Sequence, residues 1–263
     1  REVTLVLDRS GSMQGEKFEQ ARNAALQVIR ALGDDERFNI IDYSNEVAMF
    51  APAPVGPGDR WSVRSGTLML TTDASGVPDS VERAEAYLAD MTPVGGTNIN
   101  EALMAALRHE PGEGSLPIIL FLTDGLPTVG VTDEKSIREN VLQANGGDDA
   151  RRLFTFGVGH DVNVPLLTDL ARESRAIADF VDPGEDVEAA VGRVFDRLAG
   201  PVLTGVVLDA TANAVRSPIT DLFPRQPGDL FEDQRLVVLG RYRAADGGCD
   251  LRVSGTRGDG EWS

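Results

Sequence analysis

Five oxygen-bearing residues fall in three separated stretches of the chain: Asp8, Ser10 and Ser12 in "VLDRSGSMQG", Thr97 in "VGGTNINEAL", and Asp124 in "LFLTDGLPTVG". Oxygen donors of this kind suit a hard divalent cation, and Mg²⁺ in particular keeps several waters and takes few carboxylates. Ser10, Ser12 and Thr97 offer neutral hydroxyls, while Asp8 and Asp124 place charge nearby, partly through water. Such a set leaves the cation under-neutralised with a coordination position open, so that a carboxylate from outside can complete the shell. Gly11 lets the two serines turn inward, and Gly95 and Gly96 let Thr97 approach.

Each stretch must then be carried to one place. Short β-branched runs alternate with longer helical patterns over the first 200 residues. Strands are expected at 2–8, 37–43, 46–50, 116–124, 153–159 and 177–181. Helices are expected at 17–32, 78–91, 98–108, 133–144, 164–173 and 186–199. In the first helix Phe18, Ala21, Ala25, Val28 and Leu32 share a face at three-and-four spacing. The run "LPIILFLTD" is almost wholly apolar, which marks a strand covered on both faces. The fold class is therefore α/β: a doubly wound, mostly parallel sheet with helices on both faces. In such sheets ligands bind beyond the carboxyl ends of the strands, near the point where strand order reverses. All three stretches sit at a strand end or a helix start on that edge. The punctuated stretch at 52–76 reads either as an extra hairpin or as a long surface loop.

After Gly200 the pattern changes to about three strand-like pieces, 202–209, 236–242 and 249–255, with no helix. Three strands are too few to close a sandwich. The expectation is a division into an α/β domain, 1–199, and a β segment of a partial sandwich, 200–263, whose other strands lie before Arg1. The first strand begins within two residues of Arg1, with no room for a leader, so the chain is read as a piece of a longer protein.

Composition narrows the partners. Forty-two acidic against 25 basic residues give a formal charge of −17, which repels phosphate backbones and anionic lipid, so no nucleic-acid partner is expected. The longest apolar run, 116–122, falls far short of the roughly eighteen residues of a membrane span, so no transmembrane segment is expected. The single Cys249 excludes an intrachain disulfide scaffold.

Blander roles compete with each candidate. Ser12 or Thr97 taken singly fits a helix N-cap as well as a ligand. His109 falls at a helix end, where a cation complements the dipole, and His160 reads as a loop residue near the rim. Neither has a partner serine or cysteine at a recognisable spacing. The tripeptide "RGD" at 257–259 is three common residues in a glycine-rich tail and carries little weight. A phosphotransferase on a similar sheet would want a second acid two residues after the aspartate of the first strand, and that position is Ser10. No GxGxxG follows the first strand, so dinucleotide binding is not expected.

Together "DRSGSM", "GGTNINEAL" and "LTDGLPTVG" resemble the three motifs of the von Willebrand factor A domain and its metal-ion-dependent adhesion site. The runs "FGVGHDVNVPLLTDLA", "DRLAGPVLTGVVLD" and "DLFPRQPGDLFEDQRLVVLGRYR" resemble the inter-alpha-trypsin inhibitor heavy chain subgroup and its bacterial relatives. The resemblance covers nearly the whole chain. It implies a Rossmann-like fold inserted in a β-sandwich region, with Ser10 and Ser12 as direct metal ligands. Thr97 would be a ligand directly or through water, and Asp8 and Asp124 mainly through water. It implies Mg²⁺, with Mn²⁺ or Ca²⁺ as substitutes, a protein partner offering an Asp or Glu carboxylate, and an extracellular or cell-envelope location. It further implies a non-enzymatic adhesion function, with the last helix moving as coordination changes. The competing function is a structural module in which the metal only pins three loops together.

Overall fold

The structure is a computed structural model that describes residues 1–71, 76–112, 114–147, 150–182, 184–197, 201–212, 219–223, 227–231, 235–242, 249–257 and 260–262. The chain falls into two compact units, Arg1–Arg193 and Val194–Ser263, with the division inside a helix.

Up to the helix that spans the division, the order is β1 (Glu2–Asp8), α1 (Glu16–Arg30), β2 (Arg37–Tyr43), β3 (Val47–Met49), β4 (Trp61–Arg64), β5 (Thr67–Leu70), α2 (Ser80–Asp90), α3 (Ile99–Leu107), β6 (Pro117–Thr123), α4 (Glu134–Ala144), β7 (Arg152–Val158), α5 (Val164–Glu173), β8 (Ala178–Val181) and that helix, α6 (Val187–Arg197). A six-stranded sheet runs β3-β2-β1-β6-β7-β8, parallel except for the edge strand β3. Every residue of β1, β6 and β7 is buried, as expected of parallel strands covered on both faces.

Side-chain alternation sorts the core into two layers. Val6, Ile41, Tyr43, Ile119, Phe121 and Leu153 point to one face and pack with apolar residues of α3, α4 and α5. The opposite face carries α1 and α2. There α6 docks beside α1, with the Val187 N–H donating to Gln20 Oε1 (3.4 Å) and Asn23 Nδ2 to Glu188 Oε1 (2.9 Å). α1 buries Phe18, Ala21, Ala24, Ala25, Val28 and Ile29, close to the expected stripe, but it ends at Arg30, so Leu32 packs from beyond the helix. α2 starts on a reciprocal capping box between Asp79 and Glu82.

The ambiguous stretch forms a hairpin in its described part. β4 pairs antiparallel with β5 across Ser65 and Gly66, both at positive φ (52° and 80°), as a tight two-residue hairpin turn requires. Trp61 anchors it: the indole meets Phe50 edge-on at 5.3 Å, donates from Nε1 to Ser80 Oγ (3.1 Å), and lies 3.5 Å under the Arg83 guanidinium. The hairpin is thereby tied to α2 and to the edge of the sheet at Phe50, away from the centre between β1 and β6. Residues 72–75 lie outside the described residues.

The second unit is antiparallel. β9 (Pro201–Ala212), β11 (Leu230–Phe231), β13 (Cys249–Arg257) and β14 (Gly260–Trp262) form a sheet in the order β11-β9-β13-β14, while β10 (Ile219–Phe223) pairs with β12 (Leu239–Tyr242). Six strands are thus described where the sequence marks about three. β10, β11 and β14 are five residues or shorter and carry too little periodicity to register. Of the tripeptide "RGD", Gly258 and Asp259 lie outside the described residues, as do 198 and 199 at the end of the expected last helix.

Candidate metal centre

β1 and β6 lie side by side at the centre of the sheet, and the chain leaves them in opposite directions: β1 leads to β2 on one side, β6 to β7 on the other. Their carboxyl ends therefore flank the topological switch point, where a crevice opens. Asp8 is the last residue of β1, and Asp124 follows the last residue of β6.

Asp8 is completely buried, and burial raises its pKa. Hydrogen bonds from Thr123 and Ser10 pull the other way, while the nearby Asp124 charge pushes it up further. Both of its oxygens are engaged. The Ser10 N–H donates to Oδ1 (2.8 Å), and Thr123 Oγ1 (2.6 Å) and Tyr43 Oη (3.2 Å) donate to Oδ2. Strand parity makes this trio. In parallel register Asp8 is opposite Tyr43, and Leu7 opposite Leu122 puts Thr123 beside Asp8, so all three side chains leave the same face. Tyr43 is fully buried, stacks on Phe121 at 5.8 Å, and has its pKa pushed far up, by burial first and by the Asp8 charge second.

The hydroxyls converge beside this anchor. Ser10 Oγ and Ser12 Oγ are 3.0 Å apart, and Ser12 Oγ donates to Asp124 Oδ1 at 2.7 Å. A Cβ placed on Gly125 would lie 3.7 Å from Ser12 Oγ and 3.9 Å from Thr97 Oγ1, so the glycine leaves a cradle between them. Neither bland capping role applies. Ser10 makes no side-chain cap bond, Ser12 lies within a 3-10 turn, Gly15 caps α1, and Asn98 rather than Thr97 caps α3.

Thr97 is held by its backbone, which frees its hydroxyl. Its N–H donates to Thr128 Oγ1 (2.8 Å), and its carbonyl accepts from the N–H groups of Thr128 (2.9 Å) and Val129 (3.2 Å). The Gly96 N–H donates to Asn45 Oδ1 (2.6 Å), and the Gly11 N–H to the Gly95 carbonyl (2.9 Å). A Cβ on Gly96 would come within 2.7 Å of Val129 and 2.8 Å of Thr128 Oγ1, so only glycine permits this approach. Asn45, Thr123, Thr128, Tyr43 and Lys17 escape sequence reasoning. Tyr43 and Thr123 could have been found by laying β1, β2 and β6 in parallel register; nothing local marks the rest.

Lys17, in the first turn of α1, donates from Nζ to Asp124 Oδ2 (2.7 Å) and to the Ser12 carbonyl (3.4 Å). His160 is exposed after β7, and the His109 carbonyl accepts from Arg151. Among the described residues no group of three or more His, Cys, Asp and Glu is gathered as a metal cluster. The centre is thus rich in hydroxyls and poor in carboxylates, a donor set that fits a hard divalent cation held loosely and not a closed cage.

The sequence model of the von Willebrand factor type A domain matches residues 1–180. The chain belongs to that family. This von Willebrand A chain is 30% identical over 98% of its length to human inter-alpha-trypsin inhibitor heavy chain H4, of which the match covers 26%. The chain spans about a quarter of the length of the curated relatives it matches. Its fold is similar to a von Willebrand factor type A structure from Catenulispora acidiphila, with TM-score 0.66 and 17% identity over 99% of this chain and 63% of that one. It also resembles the mussel byssus proximal thread matrix protein 1 with a zinc-occupied metal-ion-dependent adhesion site, at TM-score 0.50 and 15% identity over 74% of this chain and 43% of that one. Among the described residues no helix is long and apolar enough to cross a membrane.

Proposed function

We propose that this domain captures an acidic group of a protein partner through a divalent cation. Ser10, Ser12 and Thr97 hold the cation, and Asp8 and Asp124 act mainly through water. Mg²⁺ is the preferred ion, with Mn²⁺ or Ca²⁺ able to replace it. The observation that carries the proposal is the hydroxyl-to-carboxylate chain from Ser10 through Ser12 to Asp124, seated at the switch point of the sheet. Bound there, the cation supplies a Lewis-acidic position for an incoming Asp or Glu carboxylate. The loops at 93–98, 125–132 and 160–163 surround it and select the partner by shape.

Phosphotransfer is the weaker reading. Such an enzyme would want a second acid two residues after Asp8, where this chain carries Ser10, and Asp8 itself is fully buried. The same proposal takes the domain as non-enzymatic, extracellular or envelope-associated, and divided as an adhesion domain, 1–199, and a β segment, 200–263. A structural module pinned by metal differs in outcome: chelation would lower its melting temperature and change no partner.

The test is a pull-down in Mg²⁺ against chelator, read by mass spectrometry, with wild type, Asp8→Ala and Ser12→Ala. Partners retained only by wild type in Mg²⁺ support the proposal. Capture that survives chelator and both substitutions overturns it.

A further inference from the structure

One charge in the centre lies outside the proposed ligand set. Lys17 sits in the first turn of α1, beside the helix's positive end, where a carboxylate is favoured and a cation is not. Glu16 and Glu19 of the same turn obey that rule. Lys17 breaks it and directs its ammonium to Asp124, whose side chain is fully buried while that of Lys17 is 41% exposed. The lysine stem runs past Gly159, where a Cβ would meet it only at ordinary contact distance, 3.5 Å from Nζ and 3.6 Å from Cε.

The two oxygens of Asp124 face different partners. Oδ1 accepts from Ser12 on the hydroxyl side, and Oδ2 accepts from Lys17. From this division we infer that Lys17 is a resident counter-cation that sets the charge of the centre. Two carboxylates and one ammonium sum to −1, so a divalent ion leaves +1 for an arriving carboxylate. Without Lys17 the loaded centre would be neutral, holding its cation more tightly and its anionic guest more weakly. Lys17 thus lowers cation affinity and raises anion affinity. Its stem also borders a small cavity of about 120 Å³ lined by Glu16, Asp182 and Glu185, so the ammonium keeps acidic company if Asp124 turns toward a cation.

The inference rests on the cation reading above, and the test separates the two. Mn²⁺ is titrated by calorimetry into wild type, Lys17→Met, Lys17→Gln and Lys17→Arg, with circular dichroism as the fold control. The neutral variants should bind Mn²⁺ about tenfold more tightly, the scale of one unit charge acting over a few ångströms through partly solvated surroundings, and Lys17→Arg should stay near wild type. Acetate should displace Mn²⁺-bound water, followed by water proton relaxation, more readily from wild type than from Lys17→Met. A merely structural lysine predicts the opposite sign, since losing it would disorder Asp124 and weaken Mn²⁺. If wild type binds and both neutral variants bind no more tightly, the inference is overturned alone; if wild type takes up no cation, the reading beneath it falls as well.

Discussion

Thr123 Oγ1 donates to Asp8 Oδ2 across 2.6 Å, joining the last residue of β6 to the last residue of β1. The bond lowers the cost of an ionised, buried Asp8 and holds its Oδ2, while the Ser10 N–H holds Oδ1. Thr123→Val keeps the shape and removes the donor. Cation affinity should fall about ten- to a hundredfold, as for other groups that orient a coordinating residue. Tyr43→Phe should lose less, because its 3.2 Å bond is longer and the ring stays stacked on Phe121. Calorimetric titration with Mg²⁺ checks both, and equal affinity in Thr123→Val would disconnect this bond from the centre.

Cation binding should report itself as stability. A ligand that binds only the folded state at a hundred times its Kd adds about 2.7 kcal/mol. For the α/β unit that corresponds to a rise in melting temperature of roughly 5–10 °C. Calorimetric melts in saturating Mg²⁺ and in chelator measure it. An Asp8→Ala protein should show no difference between the two conditions.

At the other end of β1 a buried ion pair offers a control without chemistry. Arg151 Nη1 is 3.0 Å from Glu2 Oε1, with side chains 3% and 4% exposed, and Arg151 also donates to the His109 carbonyl. Arg151→Met strands the Glu2 carboxylate in the interior, which should cost about 3–5 kcal/mol. Urea unfolding should show that loss while the Mg²⁺ titration of the folded protein stays at the wild-type value. A change in Mg²⁺ affinity would mean that the two ends of β1 are coupled.

Acid stability has a separate source. Desolvation pushes Glu36 up, but hydrogen bonds from the Arg1 side chain and the Gly33 N–H, with the Arg1 charge, outweigh it and leave the pKa below 4.5. A carboxyl depressed by folding stabilises the native state fully above the unfolded pKa, and that contribution disappears as pH falls through the folded value. Glu36→Gln should therefore be less stable than wild type at neutral pH. The gap between their melting temperatures should close as pH drops from about 5 toward 3. A gap independent of pH would assign the effect of Glu36 to packing.

The types and order of the elements were legible because each has its own period. β1 and β2 read from "EVTLVLD" and "RFNIIDY" to the residue, and α3 to within one residue of each end. Asp8, Ser10, Ser12, Thr97 and Asp124 were legible as candidates because strand ends and glycine turns announce themselves in local sequence. Sequence could not choose between hairpin and loop for β4 and β5, since only Trp61 lodged against Phe50 and Arg83 decides it. The strands of the second unit were undercounted because two- to five-residue pieces such as β11 and β10 are made strands by their partners.

By itself, then, the sequence determined a parallel α/β layer and a set of oxygens at its carboxyl edge, both properties of local periodicity and residue type. Tertiary structure alone decided what those oxygens face. Lys17 stands 107 residues from Asp124, and Thr123 stands 115 from Asp8, yet each pair is in hydrogen-bond contact. Such pairings follow from strand order and register, which are set by packing over the whole sheet and leave no trace in the spacing of neighbours along the chain.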